Sequence, residues 1–175
     1  MSAVAAVMLL AQAASVAALD AAPGVSIDWY DVAGSDATAI RAAIDRVRPR
    51  DENDGAPVDA LTRFAIRWRW PRGDCAREEA TLHIAARVTL PRLVGPVPDD
   101  VRVRWDRYLD ALATHEARHV ALVLARRDEL AAALRTPTCA AANAAGKAVL
   151  ARMEAENVAY DAATDHGRRE GVGFP

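Results

Sequence analysis

The sequence predicts an α+β fold, a small antiparallel sheet packed against a long helix hairpin. Three observations carry the prediction. Apolar and polar residues alternate over two stretches, Phe64 to Trp70 and Thr81 to Leu90. A stripe then recurs at three- and four-residue steps, through Val101, Trp105, Tyr108, Leu112, His115, His119 and Leu122. Thr136-Pro137 interrupts this helical run, and a second helix follows to about Val158. Two long helices joined by a tight connection fold back as an antiparallel hairpin.

At 175 residues the chain has the length of one domain, read as residues 25–175. Charged residues make up 26% and the net charge is -2. No basic excess points to nucleic acid, so a nucleic-acid partner is not expected. Ser2 to Leu19 carries no charged side chain, and Ala11-Gln12-Ala13 and Ser15-Val16-Ala17 are small-residue cleavage patterns. Residues 1–17 therefore read as a secretory signal peptide, cleaved near 13–17. The mature chain is then exported to the periplasm or the medium, with no membrane span after signal removal. Two cysteines, Cys75 and Cys139, fit export and are expected to form one disulfide.

Taken in order, Val25 to Val32 reads as a strand. Ser35 is the expected N-cap of a helix through Ile40, Ala43, Ile44 and Val47, which Pro49 stops. Asp51 to Pro57 is a polar loop. The next two strands bury Phe64, Ile66, Trp68 and Trp70 in one, and Leu82, Ile84, Ala86, Val88 and Leu90 in the other. His83 falls on the opposite, wet face. Pro91 to Pro98 forms a loop into the long helix, expected over about Asp99 to Leu134.

That helix contains His115-Glu116-Ala117-Arg118-His119. On 3.6 residues per turn the two histidines stack on one face, so both imidazoles reach one ion. Both continue the apolar stripe, where an unpartnered polar group is costly. Glu116 beside them is free to take a proton from a water that the ion activates, the arrangement of zinc hydrolases. One Zn2+ is the expected cofactor. Tyr160 or Arg118 is the candidate stabiliser of an oxyanion.

A catalytic zinc takes three protein ligands and keeps one open position. The third is expected from the end of the second helix, where Tyr160-Asp161-Ala162-Ala163-Thr164-Asp165-His166-Gly167 follows. His166 is the first candidate, with Asp161 and Asp165 as acceptors behind the imidazoles. Asp161, Asp165, Glu154 and Glu156 remain alternatives for the third ligand.

The Trp-Tyr-Asp-Val strand, the Trp-rich strand, H-E-x-x-H flanked by single cysteines, and the terminal Tyr160–Gly167 segment resemble the bacterial domain-of-unknown-function family 922. The resemblance covers about Ile27 to Pro175. It implies a secreted, zincin-like metallopeptidase domain, with His115 and His119 as ligands, Glu116 as acid/base and His166 as third ligand. The expected function is hydrolysis of a peptide or protein substrate. The alternative is a non-catalytic envelope protein with a structural metal and a helix-hairpin binding surface.

Overall fold

The computed structural model describes residues 15–75 and 79–174. Most of the expected signal segment lies outside them. The first helix, α1, is described over residues 15–20, and its Leu19 is buried in the core. The chain continues through β1 (Val25–Val32), α2 (Ala37–Val47), β2 (Leu61–Arg69), β3 (Thr81–Leu93), α3 (Asp99–Ala125), α4 (Arg127–Ala133) and α5 (Cys139–Thr164), with a 3-10 turn over Arg168–Glu170.

The α+β class holds, but the sheet is mixed rather than antiparallel. Its order is β1-β3-β2, with β1 parallel to β3 and β2 antiparallel to it. The alternation of side chains gives each strand its faces but not its direction. Direction follows from the connection over residues 48–60, which returns the chain from α2 to the end of β1, where Tyr30 donates to the Asp59 carbonyl just before β2 begins. β2 then runs opposite to β1, and β3, antiparallel to β2, lies parallel to β1. β3 also runs on through Pro91 to Leu93, where a loop was expected. Pairing with β2 ends at Thr89, so Pro91 sits beyond that ladder, and its missing N–H leaves no gap there.

The α3 stripe buries Val101, Trp105, Tyr108 and Leu112 against the sheet, and extends to His115 and His119. Its C-terminal end turns towards Val123 rather than Leu122. The expected single helix to Leu134 divides at Arg126, whose guanidinium is held by Glu129 and Glu156. α5 runs one and a half turns further than expected, to Thr164. Those extra turns deliver Tyr160 and Asp161 to α3. Asp36, not Ser35, caps α2, by accepting from Ala39 N–H at 2.9 Å. After α5 the chain returns to the core, where Phe174 packs on Trp105 and Tyr108 with ring centroids 5.4 Å apart.

Two ties hold this frame. Cys75 and Cys139 form the expected disulfide, with Cα atoms 5.3 Å apart, and so join the β2–β3 connection to the start of α5. Asp59 is the second tie. Its carboxylate accepts from Arg41 at 2.6 and 2.8 Å, from Arg48 at 3.1 Å and from the Tyr108 hydroxyl at 2.9 Å. Its backbone oxygen accepts from Tyr30 at 2.7 Å. One residue thus connects β1, α2 and α3. Among the described residues no helix is long and apolar enough to cross a membrane.

Opening the disulfide as the Cys75→Ser/Cys139→Ser pair is expected to destabilise by about 4 kcal/mol, from the entropy of the long loop it closes; urea denaturation measures it. Burial pushes the Asp59 carboxyl up, but the bonds and charge of Arg41, with Tyr108 and Arg48, hold it below its ordinary value. Its stabilisation is therefore present above the unfolded carboxylate pKa and lost as pH falls through the lowered folded one. Asp59→Asn is expected to cost about 2–3 kcal/mol near neutrality, because two arginines lose a partly buried partner. The urea midpoints of wild type and variant should converge in acid.

Candidate metal centre

The site is built where the middle of α3 faces the end of α5. His115 and His119 are 4% and 7% exposed, and their Nε2 atoms lie 3.2 Å apart. Asp161 of α5 places Oδ1 3.2 Å from both.

The outer nitrogens decide where the protons are. His115 Nδ1 lies 2.9 Å from Glu170 Oε2, and an ionised carboxylate can only accept. His119 Nδ1 lies 2.7 Å from Asn157 Oδ1. The Asn157 amide is oriented by its own Nδ2, which donates to the Met153 carbonyl at 2.7 Å. Both Nδ1 atoms are thus donors, so each neutral imidazole turns a bare Nε2 lone pair inward. Two such lone pairs and a carboxylate oxygen at 3.2 Å from one another repel unless a cation sits among them.

The donor set fits zinc. Ligands bonded at about 2.0–2.1 Å around a tetrahedral ion stand about 3.3 Å apart, and the three edges here are 3.2 Å. Protonation is the other way to supply positive charge, and the electrostatics show the pull. Burial pushes both imidazoles down, yet Asp161 and the neighbouring carboxylates leave them raised. Burial pushes Asp161 up, yet the two histidines hold it far below the usual carboxylate range.

Glu116 is 3% exposed, and burial raises its pKa. Its Oε2 accepts from the Thr62 hydroxyl of β2 at 2.6 Å. Its Oε1 accepts no hydrogen bond among the described residues. Glu116, both histidines and Asp161 line one cleft of about 1090 Å³, which continues along β2 past Phe64 and Ile66.

The tail beyond Thr164 supports the centre. Asp165, His166 and Gly167 take φ of 53°, 49° and 79° in succession, a left-handed reversal. Thr164 Oγ1 closes it, donating to the Tyr160 carbonyl at 2.9 Å and accepting from Gly167 N–H at 3.2 Å. The reversal returns Glu170 to His115 and lays Gly167 against the imidazole. A Cβ on Gly167 would stand 3.1 Å from the His115 ring and 2.7 Å from Val172 Cγ2.

Several expected roles change place. Asp161, read as an acceptor behind the histidines and as an alternative third ligand, stands with His115 and His119 where His166 was the first candidate. His166 stands further out, its Nδ1 3.7 Å from Asp161. Asp165 caps α5 and pairs with Arg168 at 3.3 Å instead of backing an imidazole. The Tyr160 hydroxyl donates to Glu170 at 2.8 Å, while the ring stacks on His115 with centroids 4.9 Å apart. Its proton points to Glu170, and its ring braces the His115 imidazole. Arg118 is exposed on α3, and its charge acts on the Tyr160 hydroxyl. Glu156 is held by Arg126, and Glu154 lines the cleft outside the cluster of ligand atoms.

Asn157, Glu170 and Thr62 were missed. Asn157 was within reach, since Met153, Asn157, Asp161 and Thr164 fall on one face of α5. Thr62 shares the strand parity of Phe64 and Ile66. Glu170 left no signal, because only the left-handed reversal brings it back.

The sequence model of the family described as bacterial protein of unknown function (DUF922) matches residues 27–167, and the chain belongs to that family. No curated protein and no solved structure matches it.

Gly167→Ala is expected to weaken zinc binding at least about tenfold and to destabilise by about 2–3 kcal/mol, through a strained φ and a displaced His115. Gly73→Ala has a similar φ of 80° with open space around it, and isolates the backbone part. Zinc titration and urea denaturation of the two variants make the comparison.

Proposed function

We propose that this member of the family is an exported, zincin-like metallopeptidase that holds one zinc ion at His115, His119 and Asp161 and hydrolyses peptide bonds. One observation carries the reading: three converging acceptor atoms at zinc spacing share a cleft with a buried carboxylate that has one oxygen free. A structural site would close with a fourth protein ligand. Among the described residues the fourth side faces the cleft.

A bound zinc supplies a Lewis acid for the scissile carbonyl and lowers the pKa of water to about 7. The chain's own residues do the rest. Thr62 holds Glu116 through Oε2, which leaves Oε1 to accept a proton from the attacking water. As the water oxygen bonds to the carbonyl carbon and the C–N bond breaks, Glu116 passes that proton to the departing nitrogen. The raised pKa of Glu116 suits a group that both takes and returns a proton. Asn157 and Glu170 keep the imidazoles in the tautomer whose Nε2 points inward.

The sheet order supports a peptide substrate. β2 lies at one edge and lines the cleft, so an extended peptide can pair with it as a further strand. The disulfide and the apolar N-terminal segment support action in the periplasm or outside the cell.

The test uses the chain without its signal segment, loaded with zinc and offered a quenched fluorescent protein mixture. Glu116→Gln should keep the metal and lose at least about 100-fold in cleavage rate. Equal rates in wild type and variant would overturn the reading.

A further inference from the structure

Next to the first cluster, and sharing Asp161 with it, lies a second group of potential ligands: Asp51, Asp161 and His166. We propose that this group binds a second divalent cation, with Asp161 bridging the two ions. The proposal rests on the first site holding a metal.

The geometry is that of ligands rather than of hydrogen-bonded partners. His166 Nδ1 stands 3.7 Å from Asp161 Oδ1 and 3.9 Å from Asp51 Oδ2. Both are beyond hydrogen-bond length. Both fit across an ion, since ligands bonded at about 2.1 Å lie roughly 3.2–4.2 Å apart for angles from 100° upward. The other ring nitrogen, Nε2, has Asp54 Oδ2 at 3.4 Å on its far side. Nδ1 is thus the ring nitrogen that faces Asp51 and Asp161.

Asp51 supplies an independent sign. Its side chain is only 8% exposed, and its Oδ1 accepts from Asn53 N–H at 2.6 Å. Its Oδ2 points to His166 and accepts no hydrogen bond among the described residues. Among the described residues no arginine pairs with it. The arginines bordering the cleft are engaged elsewhere, Arg41 and Arg48 with Asp59, Arg63 with Glu52 and Arg168 with Asp165. A buried carboxylate with a bare oxygen, a histidine ring nitrogen facing it and a shared aspartate together want a cation. One His and two carboxylates suit zinc or manganese. Two ions sharing a carboxylate is an arrangement known to metal-assisted hydrolysis. His166 thus regains a ligand role, at a different ion from the one its sequence position suggested.

The experiment counts metal. Wild type, Asp51→Asn, His166→Gln and Asp161→Asn are dialysed against excess zinc chloride, passed through a desalting column and measured by elemental analysis. Circular dichroism confirms that each is folded. Two ions in wild type, one in Asp51→Asn and His166→Gln, and a deficit at both sites in Asp161→Asn support the proposal. One ion in wild type, unchanged in Asp51→Asn and His166→Gln, overturns the second site and leaves the first intact. Two ions in wild type and still two in Asp51→Asn place the second ion elsewhere and overturn it as well. No metal in wild type overturns both this proposal and the function on which it rests.

Discussion

Two imidazole lone pairs and a carboxylate oxygen cannot share a small volume without a positive charge between them. That repulsion is the constraint around which the rest of the molecule is arranged. α3 presents His115 and His119 a turn apart, α5 presents Asp161 opposite, and all three atoms meet at 3.2 Å. Neither helix can relax the crowding alone. The imidazoles are locked from behind by Glu170 and Asn157, and Asn157 is locked by Met153. The three acceptor atoms are thus held at close range, and the cost of holding them there is met by the surrounding fold.

Where it is met can be named. Asp59 gathers β1, α2 and α3 on one carboxylate, which fixes the entry of α3 against the sheet. The disulfide fixes the start of α5, and Arg126 with Glu129, Glu156 and Arg152 fixes its middle to the α3–α4 break. Phe174 and Val172, buried beyond the last turn, draw the tail back to the core. Between these anchors lies the strained part, two non-glycine residues and a glycine with left-handed backbone. Such strain persists only where the structure on both sides determines it. Here it serves a purpose, because the reversal is what turns Glu170 back onto His115.

Much of this was legible in the sequence, and the limits have physical causes. H-E-x-x-H was readable because helical spacing alone sets its geometry. The strand faces were readable because alternation has a fixed period. The disulfide followed from two cysteines in a chain that looks exported. What failed to show was anything set by chain reversal or by strand direction. Asp161 and His166 are five residues apart, and at a helix end that spacing does not say which one points inward. α5 continuing to Thr164 puts Asp161 on the face of Asn157 and Met153, and leaves His166 past the cap. Glu170 acts across a turn whose φ values nothing in the local pattern announces. The parallel pairing of β1 depends on the return of the chain over residues 48–60 to the end of β1, a matter of topology rather than composition.

The charge around the cleft leads to one further step. Asp161, Glu116 and Asp51 are all buried or half-buried, and none of them has an arginine or lysine partner among the described residues. The cleft does not lack basic residues, for Arg41, Arg48, Arg63 and Arg168 all border it. Each has instead been drawn to a carboxylate away from the centre: Asp59, Glu52 or Asp165. A protein that needed only to stabilise these acids could have paired them with the arginines already at hand. Leaving the acids bare, next to two histidines with inward lone pairs, concentrates uncompensated negative potential in one small region. Potential of that kind attracts a divalent cation and raises its local concentration. Burial raises the Glu116 carboxyl's pKa first, and the charge of Asp161 adds to it. The arrangement of the arginines is thus part of the site, although none of them touches it.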